Sequence, residues 1–235
     1  MGSIIYFSII SVQFLSVLAT QPIIPLKCFL RDNKVFDLIG KSSIQPSLVK
    51  NLPQIDNLKV DSVVIDKDDF LFDTTNVEYI GLDKAILDDF GFNFVYNVSR
   101  ITFHTDLLLS SPYKTNGTLF SIPIDGEGLM EAFAKNIQFG LTMPFEIIEA
   151  NGNKFIELKE FFYWYDVKDY AHFKLDNLYY GNKEKSDRMH YLLNQNWKYI
   201  VTHFGDVHAQ KIADNIFDIF KKYMLDLPLK DINDC

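Results

Sequence analysis

Ile137-Gln-Phe-Gly-Leu-Thr-Met-Pro-Phe-Glu-Ile147 decides the fold class, because apolar side chains alternate with polar or small ones at every step. A strand sends successive side chains to opposite faces, so Ile137, Phe139, Leu141, Met143, Phe145 and Ile147 share one face. Gln138, Gly140, Thr142, Pro144 and Glu146 share the other. One buried and one wet face is the signature of an antiparallel sheet packed on a single side.

Working outward, the same period recurs upstream. Thr118, Phe120, Ile122 and Ile124 form one run, Ile101, Phe103, Thr105, Leu107 and Leu109 another, and Phe90, Phe92, Phe94 and Tyr96 a third. Asn116-Gly117 lies between two of these runs, and Asn151-Gly152 separates the first strand from a further one over 155–167. Asn-Gly supplies the positive φ values of a tight hairpin, so both pairs are predicted turns and the whole an antiparallel meander. A short helix is expected around Ser47–Leu52, ended by Pro53.

After Ser186 the period becomes helical. Met189, Leu193, Trp197, Ile200, Phe204, Val207, Ile212, Ile216, Phe220 and Met224 recur at spacings of three to five, with Ser186 as the predicted N-cap and Pro228 beyond the end. An unbroken helix of this length runs on the order of 60 Å at 1.5 Å per residue. Either the domain is elongated or the helix bends, with Gly205 the natural place. The expected class is α+β: a long C-terminal helix wrapped by a curved antiparallel sheet, in one elongated domain with an apolar interior.

The first nineteen residues carry no charge and hold an apolar run from Ile4 to Leu18 ending at small Ala19. They read as a signal peptide cleaved after Ala19, since Ser8, Ser11, Gln13 and Ser16 interrupt a stretch already short for a bilayer. The domain assignment is 1–19 signal peptide and 20–235 a single folded domain. The net charge of −8, with no Lys/Arg cluster, argues against nucleic-acid and anionic-membrane partners. Aromatic residues make up 15% of the chain, more than closing a core of this size requires, and suggest an interior that is lined as well as filled.

Catalytic and metal motifs are not found. His104, His172, His190, His203 and His208 lack metal or nucleophile spacing, and His203 and His208 stand five apart rather than four. The histidines are therefore expected to be solvated or core side chains; no cofactor, metal or catalytic residue is expected. The aromatic run Phe161-Phe162-Tyr163-Trp164-Tyr165 is expected in a strand, as ordinary packing or as part of a ligand entrance. Two sequons, at Asn97 and Asn116, are glycosylation candidates, Asn97 by its outward parity and Asn116 by its place in the predicted turn.

The stretch Leu178-Tyr-Tyr-Gly-Asn-Lys-Glu-Lys-Ser-Asp-Arg-Met-His-Tyr-Leu-Leu-Asn-Gln-Asn-Trp197 resembles the signature that opens the long helix in the insect takeout and juvenile hormone-binding protein family. Tyr113-Lys-Thr-Asn-Gly-Thr-Leu-Phe-Ser-Ile-Pro-Ile-Asp-Gly-Glu-Gly128 and Asn76-Val-Glu-Tyr-Ile-Gly-Leu82 resemble two further segments, in the family's order and spacing. The resemblance implies the wrapped helix-and-sheet unit shared with lipid-transfer and bactericidal permeability-increasing proteins, enclosing an apolar tunnel. Three departures stand out. The family's second N-terminal Cys is absent near Phe36-Asp37-Leu38, Gln195 replaces the usual Glu, and Gly205-Asp206 stands where a mid-helix Pro is common. Cys28 and Cys235, the only thiols, are candidates for a disulfide with each other if their Cα atoms come within roughly 7 Å.

Periodicity alone does not distinguish a hollow interior from a packed one. If the interior is the tunnel that the resemblance implies, its wall candidates are the inward residues Phe92, Phe94, Phe103, Leu107, Phe120, Ile122, Phe139, Leu141, Met143 and Phe145 of the sheet. Met189, Leu193, Trp197, Ile200 and Phe204 are those of the helix. The function expected is a secreted, monomeric carrier of a hydrophobic small molecule such as a juvenile hormone-like terpenoid, a fatty-acid derivative or an odorant. The alternatives are a secreted interaction or signalling protein with a filled interior and, third, a hydrolase using a buried Asp or His beside a bound ester.

Overall fold

The computed structural model describes residues 24–25, 57–94 and 96–229. The segment 1–19, the helix expected around Ser47–Leu52, and both Cys28 and Cys235 lie outside the described residues.

Among the described residues, eight strands form one antiparallel sheet: β1 (Ile24–Pro25), β2 (Asn57–Lys67), β3 (Phe70–Ile80), β4 (Ile86–Asn93), β5 (Val98–Leu119), β6 (Ile122–Ala150), β7 (Asn153–Leu158) and β8 (Phe162–Leu175). The class is the α+β architecture expected, and the strands are longer than the sequence runs. Residues 101–109 and 118 both belong to β5, while 122–124 and 137–147 both belong to β6. β5 pairs with β4 over 98–104 and with β3 over 108–117, and β6 runs beside its whole length. β6 also pairs with β8 over 130–142 and with β7 over 145–150. A strand of 29 residues would span about 90 Å if straight, so β6 must curl.

A bulge breaks β6 at the middle of this curl. Its register with β5 shifts between Thr105 and Leu107, where Asn136 takes φ 54°. The Asp106 carboxylate accepts the Asn136 backbone N–H at 2.9 Å and pairs with Lys135 at 2.6 Å. The Thr105 hydroxyl donates to the Gly81 carbonyl at 2.6 Å. The extra residue reverses the parity of β6: the inward set includes even-numbered Ile124, Met130, Ala132 and Ala134 before the bulge and odd-numbered Ile137 to Phe145 after it.

Several local expectations need correction. Asn116-Gly117 is not a turn. It lies inside β5, where Gly117 at φ 108° lets the Asp69 carbonyl approach so closely that a Cβ would collide with it. The chain turns instead at Phe120-Ser121, both at positive φ, while Asn151-Gly152 does turn the β6–β7 hairpin. The strand expected over 155–167 is two, β7 and β8, separated at 159–161. The β2–β3 hairpin, turning at Asp68-Asp69, has no counterpart among the strands expected from alternation. Ile147 and Tyr96 are exposed: Ile147 lies in the distal β6–β7 hairpin, and Tyr96 in the turn after β4 has ended.

The C-terminal helix comprises α1 (Lys183–Gln195), α2 (Trp197–Phe204) and α3 (Asp206–Asp226). Asn182, not Ser186, is the N-cap, because extended Asn182 accepts the Lys185 N–H on its side chain. The segments are one bent helix. Helical hydrogen bonds meet at both breaks: the Asn196 N–H donates to the Leu192 carbonyl at 3.0 Å while its carbonyl accepts from Ile200 at 3.1 Å, and the Gly205 N–H donates to the Val201 carbonyl at 2.9 Å while its carbonyl accepts from Ala209 at 3.0 Å. A bend at Gly205 was expected; a second, at Asn196, was not. At Gly205 the Tyr165 hydroxyl donates to the Val201 carbonyl at 3.0 Å, and a Cβ on Gly205 would stand 3.1 Å from that hydroxyl and 2.5 Å from that carbonyl. A side chain inserted at the helix backbone is a recognised cause of bending.

All three helical segments pack on β8, and α3 also packs on β7 and β2, closing the concave side of the sheet. The outer edge of β8 is finished by helix side chains. Asn194 accepts the Phe173 N–H at 2.7 Å and donates to its carbonyl at 3.1 Å, and His190 Nε2 accepts the Leu175 N–H at 2.9 Å. These bonds satisfy backbone groups that an open edge would leave unpaired.

Candidate functional site

The concave side holds an apolar cavity of about 150 Å³, partly open to the surface. Its helical wall runs from Leu193 to Ile212, a contour on the order of 30 Å at 1.5 Å per residue. The sheet contributes Phe70, Phe72, Leu109, Leu119 and Ile124 toward the β2–β3 and β5–β6 turns, and Leu107, Ile137, Phe139 and Val167 at the other end. Cavities of this size lined by aliphatic and aromatic groups stay dry and take up apolar molecules.

The space exists because small side chains face it. Ala134 of β6 pairs with Ala171 of β8, Ala132 pairs with Phe173, and all four line the wall. Across the bulge the interior is filled instead. Ile101, Phe103, Leu141 and Met143 are fully buried there against one another and the α3 residues Ile216 and Phe220.

The expected wall residues divide between these halves. Leu107, Phe139, Leu193, Ile200 and Phe204 line the cavity. Phe103, Leu141, Met143 and Phe145 belong to the filled core, with Phe92 and Phe94 packed edge-on to Phe145 at 5.8 and 5.6 Å. Phe120 and Ile122 are half-buried beside the hairpin turn, Phe120 against Tyr199 at 5.7 Å. Met189 is buried on α1, and Trp197 is half-buried against the main core. Both sequon residues, Asn97 in a turn and Asn116 on β5, are exposed.

His208 and Tyr165 are the wall residues with polar side chains; neither is among the expected wall candidates, His208 being expected only as a solvated or core histidine and Tyr165 only within the aromatic run, as packing or ligand entrance. The row Phe204, His208, Ile212, Ile216, Phe220 and Met224 advances by four throughout and would have placed His208 inward. Val207, expected on the apolar stripe, is exposed instead. His208 Nδ1 lies 2.9 Å from the hydroxyl of fully buried Tyr79, and burial pushes the imidazole pKa down to about 4, so the ring is neutral at pH 7. Of the other histidines, His104 meets Asp88 and His203 meets Asp68, each at 2.7 Å, and both pairs are solvent-accessible.

In the aromatic run, Phe161 packs on Phe217 at 4.9 Å and Tyr163 donates to Asp206 at 2.8 Å, while Phe162 and Trp164 face outward. Among the described residues, no helix is long and apolar enough to cross a membrane.

A family model described as haemolymph juvenile hormone binding protein matches residues 44–234. The chain belongs to this family. Among solved structures, the crystal structure of Takeout 1 from Epiphyas postvittana is similar at 30% identity and a TM-score of 0.73, covering 79% of this chain and 86% of that one. No curated protein sequence matches the chain. Proteins of the juvenile hormone binding family bind lipophilic ligands, and the cavity supplies the matching environment here.

The segments that resemble the family are joints of the fold. Tyr113 donates its hydroxyl to the Asp176 carbonyl at 2.8 Å, and Asn177 donates to the Glu127 carbonyl at 3.0 Å, so the middle segment anchors the turn leading into α1. The helix segment supplies Asn194 and His190 to the β8 edge. In the first segment Asn76, at φ 48°, sits where the β3–β5 register shifts.

Proposed function

We propose that this chain is a secreted, non-enzymatic, monomeric carrier of an elongated hydrophobic small molecule, of the juvenile hormone-like terpenoid, fatty-acid derivative or odorant kind. The observation that carries this reading is the elongated apolar cavity between the sheet and α1–α3, with Ala134 and Ala171 leaving its centre open. Burial of an apolar chain there is favourable by about 25 cal/mol per Å² removed from water, with little wall polarity to select a compact polar substrate. Secretion is supported by the uncharged segment ending at Ala19, and glycosylation by the exposure of Asn97 and Asn116.

A carrier is favoured over a hydrolase because, among the described residues, no Ser, Cys, Asp or Glu lines the cavity beside His208. Nucleophilic or general-base catalysis needs such a partner within hydrogen-bond reach.

The test is titration of delipidated protein with N-phenyl-1-naphthylamine, followed by displacement with long-chain methyl esters. Saturable uptake and stoichiometric displacement are expected. No saturable uptake would favour the filled-interior interaction protein, and turnover of an ester would favour the hydrolase.

A further inference from the structure

The Tyr79–His208 pair sits at the one place where the cavity wall carries an imidazole. Tyr79 is fully buried, does not line the cavity, and has His208 Nδ1 as the partner of its hydroxyl. A buried hydroxyl proton left without an acceptor is costly, so the Tyr79 O–H donates and Nδ1 accepts. In a neutral imidazole that assignment puts the remaining proton on Nε2. Among the described residues, Nε2 has no hydrogen-bond partner. Tyr79, which is not a wall residue, holds Nδ1, and that leaves Nε2 as the ring nitrogen available to the cavity that His208 lines.

A second feature limits what this N–H recognises. The nearby wall is Leu107, Phe139, Ala209 and Ile212, with no Lys or Arg among the cavity residues. An ionised carboxylate placed there would lose its hydration without gaining a counter-charge, whereas a neutral carbonyl, ester or epoxide oxygen gains a donor at small desolvation cost. The Tyr165 hydroxyl does not compete for that oxygen, because it is engaged by the Val201 carbonyl.

We propose that His208 Nε2–H, oriented by Tyr79, is the ligand-registering site of the cavity, and that it selects uncharged apolar chains bearing an oxygen acceptor over hydrocarbons and over ionised fatty acids. The proposal rests on the carrier reading and adds a chemical class and a register to it. The acceptor oxygen sits at the inner end, next to the filled core, and the apolar chain extends toward Phe70 and Leu119.

The experiment measures displacement of N-phenyl-1-naphthylamine at pH 7 by three competitors of matched length: a C16 methyl ester, the hydrocarbon and the free acid. The wild type is compared with His208→Gln and with His208→Leu/Tyr79→Phe, a double variant that leaves no orphaned hydroxyl. In the wild type the ester should outcompete the hydrocarbon and the acid by about tenfold or more. In the double variant the ester-to-hydrocarbon ratio should fall to near one while dye and hydrocarbon affinity persist, and His208→Gln, which keeps an N–H donor, should recover part of it. An ester preference that survives in the double variant overturns the site. A protein that takes up neither dye nor any competitor overturns the carrier reading itself, a distinct outcome.

Discussion

Ala134 and Ala171 face each other across the β6–β8 ladder, and both form part of the cavity wall. Two methyl groups stand where most paired positions in a buried sheet carry branched or aromatic side chains, and the difference is the open volume. Ala171→Leu should therefore fill the space, weakening dye affinity about tenfold or more with a nearly unchanged melting temperature. Leu141→Phe, in the filled half, should do the reverse: destabilise by about 1–3 kcal/mol and leave dye affinity intact. Thermal melts and dye titrations on the two variants check the pair. Equal effects on both properties in both variants would contradict the division into hollow and filled halves.

Gly205 sits where the helix bends and Tyr165 reaches the Val201 carbonyl. Gly205→Ala should straighten or displace the helix there, despite alanine's better helix propensity, and cost about 1–3 kcal/mol. Because Gly205 also lines the cavity, dye affinity should fall with it. Urea unfolding in parallel with dye titration measures both. A stabilised Gly205→Ala would show that the bend is not held by the Tyr165 contact.

Burial holds the His208 pKa at about 4, against the ordinary 6.5. Between those values the unfolded chain binds the extra proton, so the native state is progressively destabilised as pH falls from 6.5 to 4, and the full contribution is present above 6.5. Across the whole window the effect is about 3 kcal/mol. Carboxylates titrate in the same range, so the informative quantity is wild type minus His208→Gln, followed by denaturant unfolding at a series of pH values. That difference should change with positive slope between pH 4 and 6.5 and be flat above; a flat difference throughout would mean that the imidazole is not buried in the neutral form.

Protein recovered from the medium of insect cells should begin at Thr20 and lose apparent mass on treatment with an N-glycan amidase, because Asn97 and Asn116 are both exposed. N-terminal sequencing and a gel shift check this. A soluble product retaining residues 1–19 would contradict the first part, and an unchanged mass the second.

The face of β6 from Ile137 to Phe145 and the helix rows at Phe204, Ile212, Ile216 and Phe220 were legible because one period governs each and burial follows it. The bulge at Asn136 was not legible, since it depends on Asp106 from the neighbouring strand. It hides Met130, Ala132 and Ala134, whose inward parity is opposite to that of Phe139. Asn116-Gly117 misled for a related reason: the dipeptide suits a tight turn, but here Gly117 accommodates the Asp69 carbonyl from another hairpin. The extent of the cavity was unreadable because it depends on which small residues meet across strands, as Ala134 and Ala171 do, and pairing register is a property of the folded sheet. His208 was missed because an apolar neighbour, Val207, better suited a hydrophobic stripe.

On the carrier reading, the hollow half holds an apolar molecule in the functioning protein. Native mass spectrometry of the protein secreted from insect cells, purified without detergent, tests it most directly. The expected spectrum shows a mass in excess of the glycosylated chain that is released on activation, extracts into organic solvent as an uncharged apolar compound, and is absent from Ala171→Leu. A spectrum of bare polypeptide and glycan in both wild type and variant, with no added mass after incubation with long-chain methyl esters, would contradict the account.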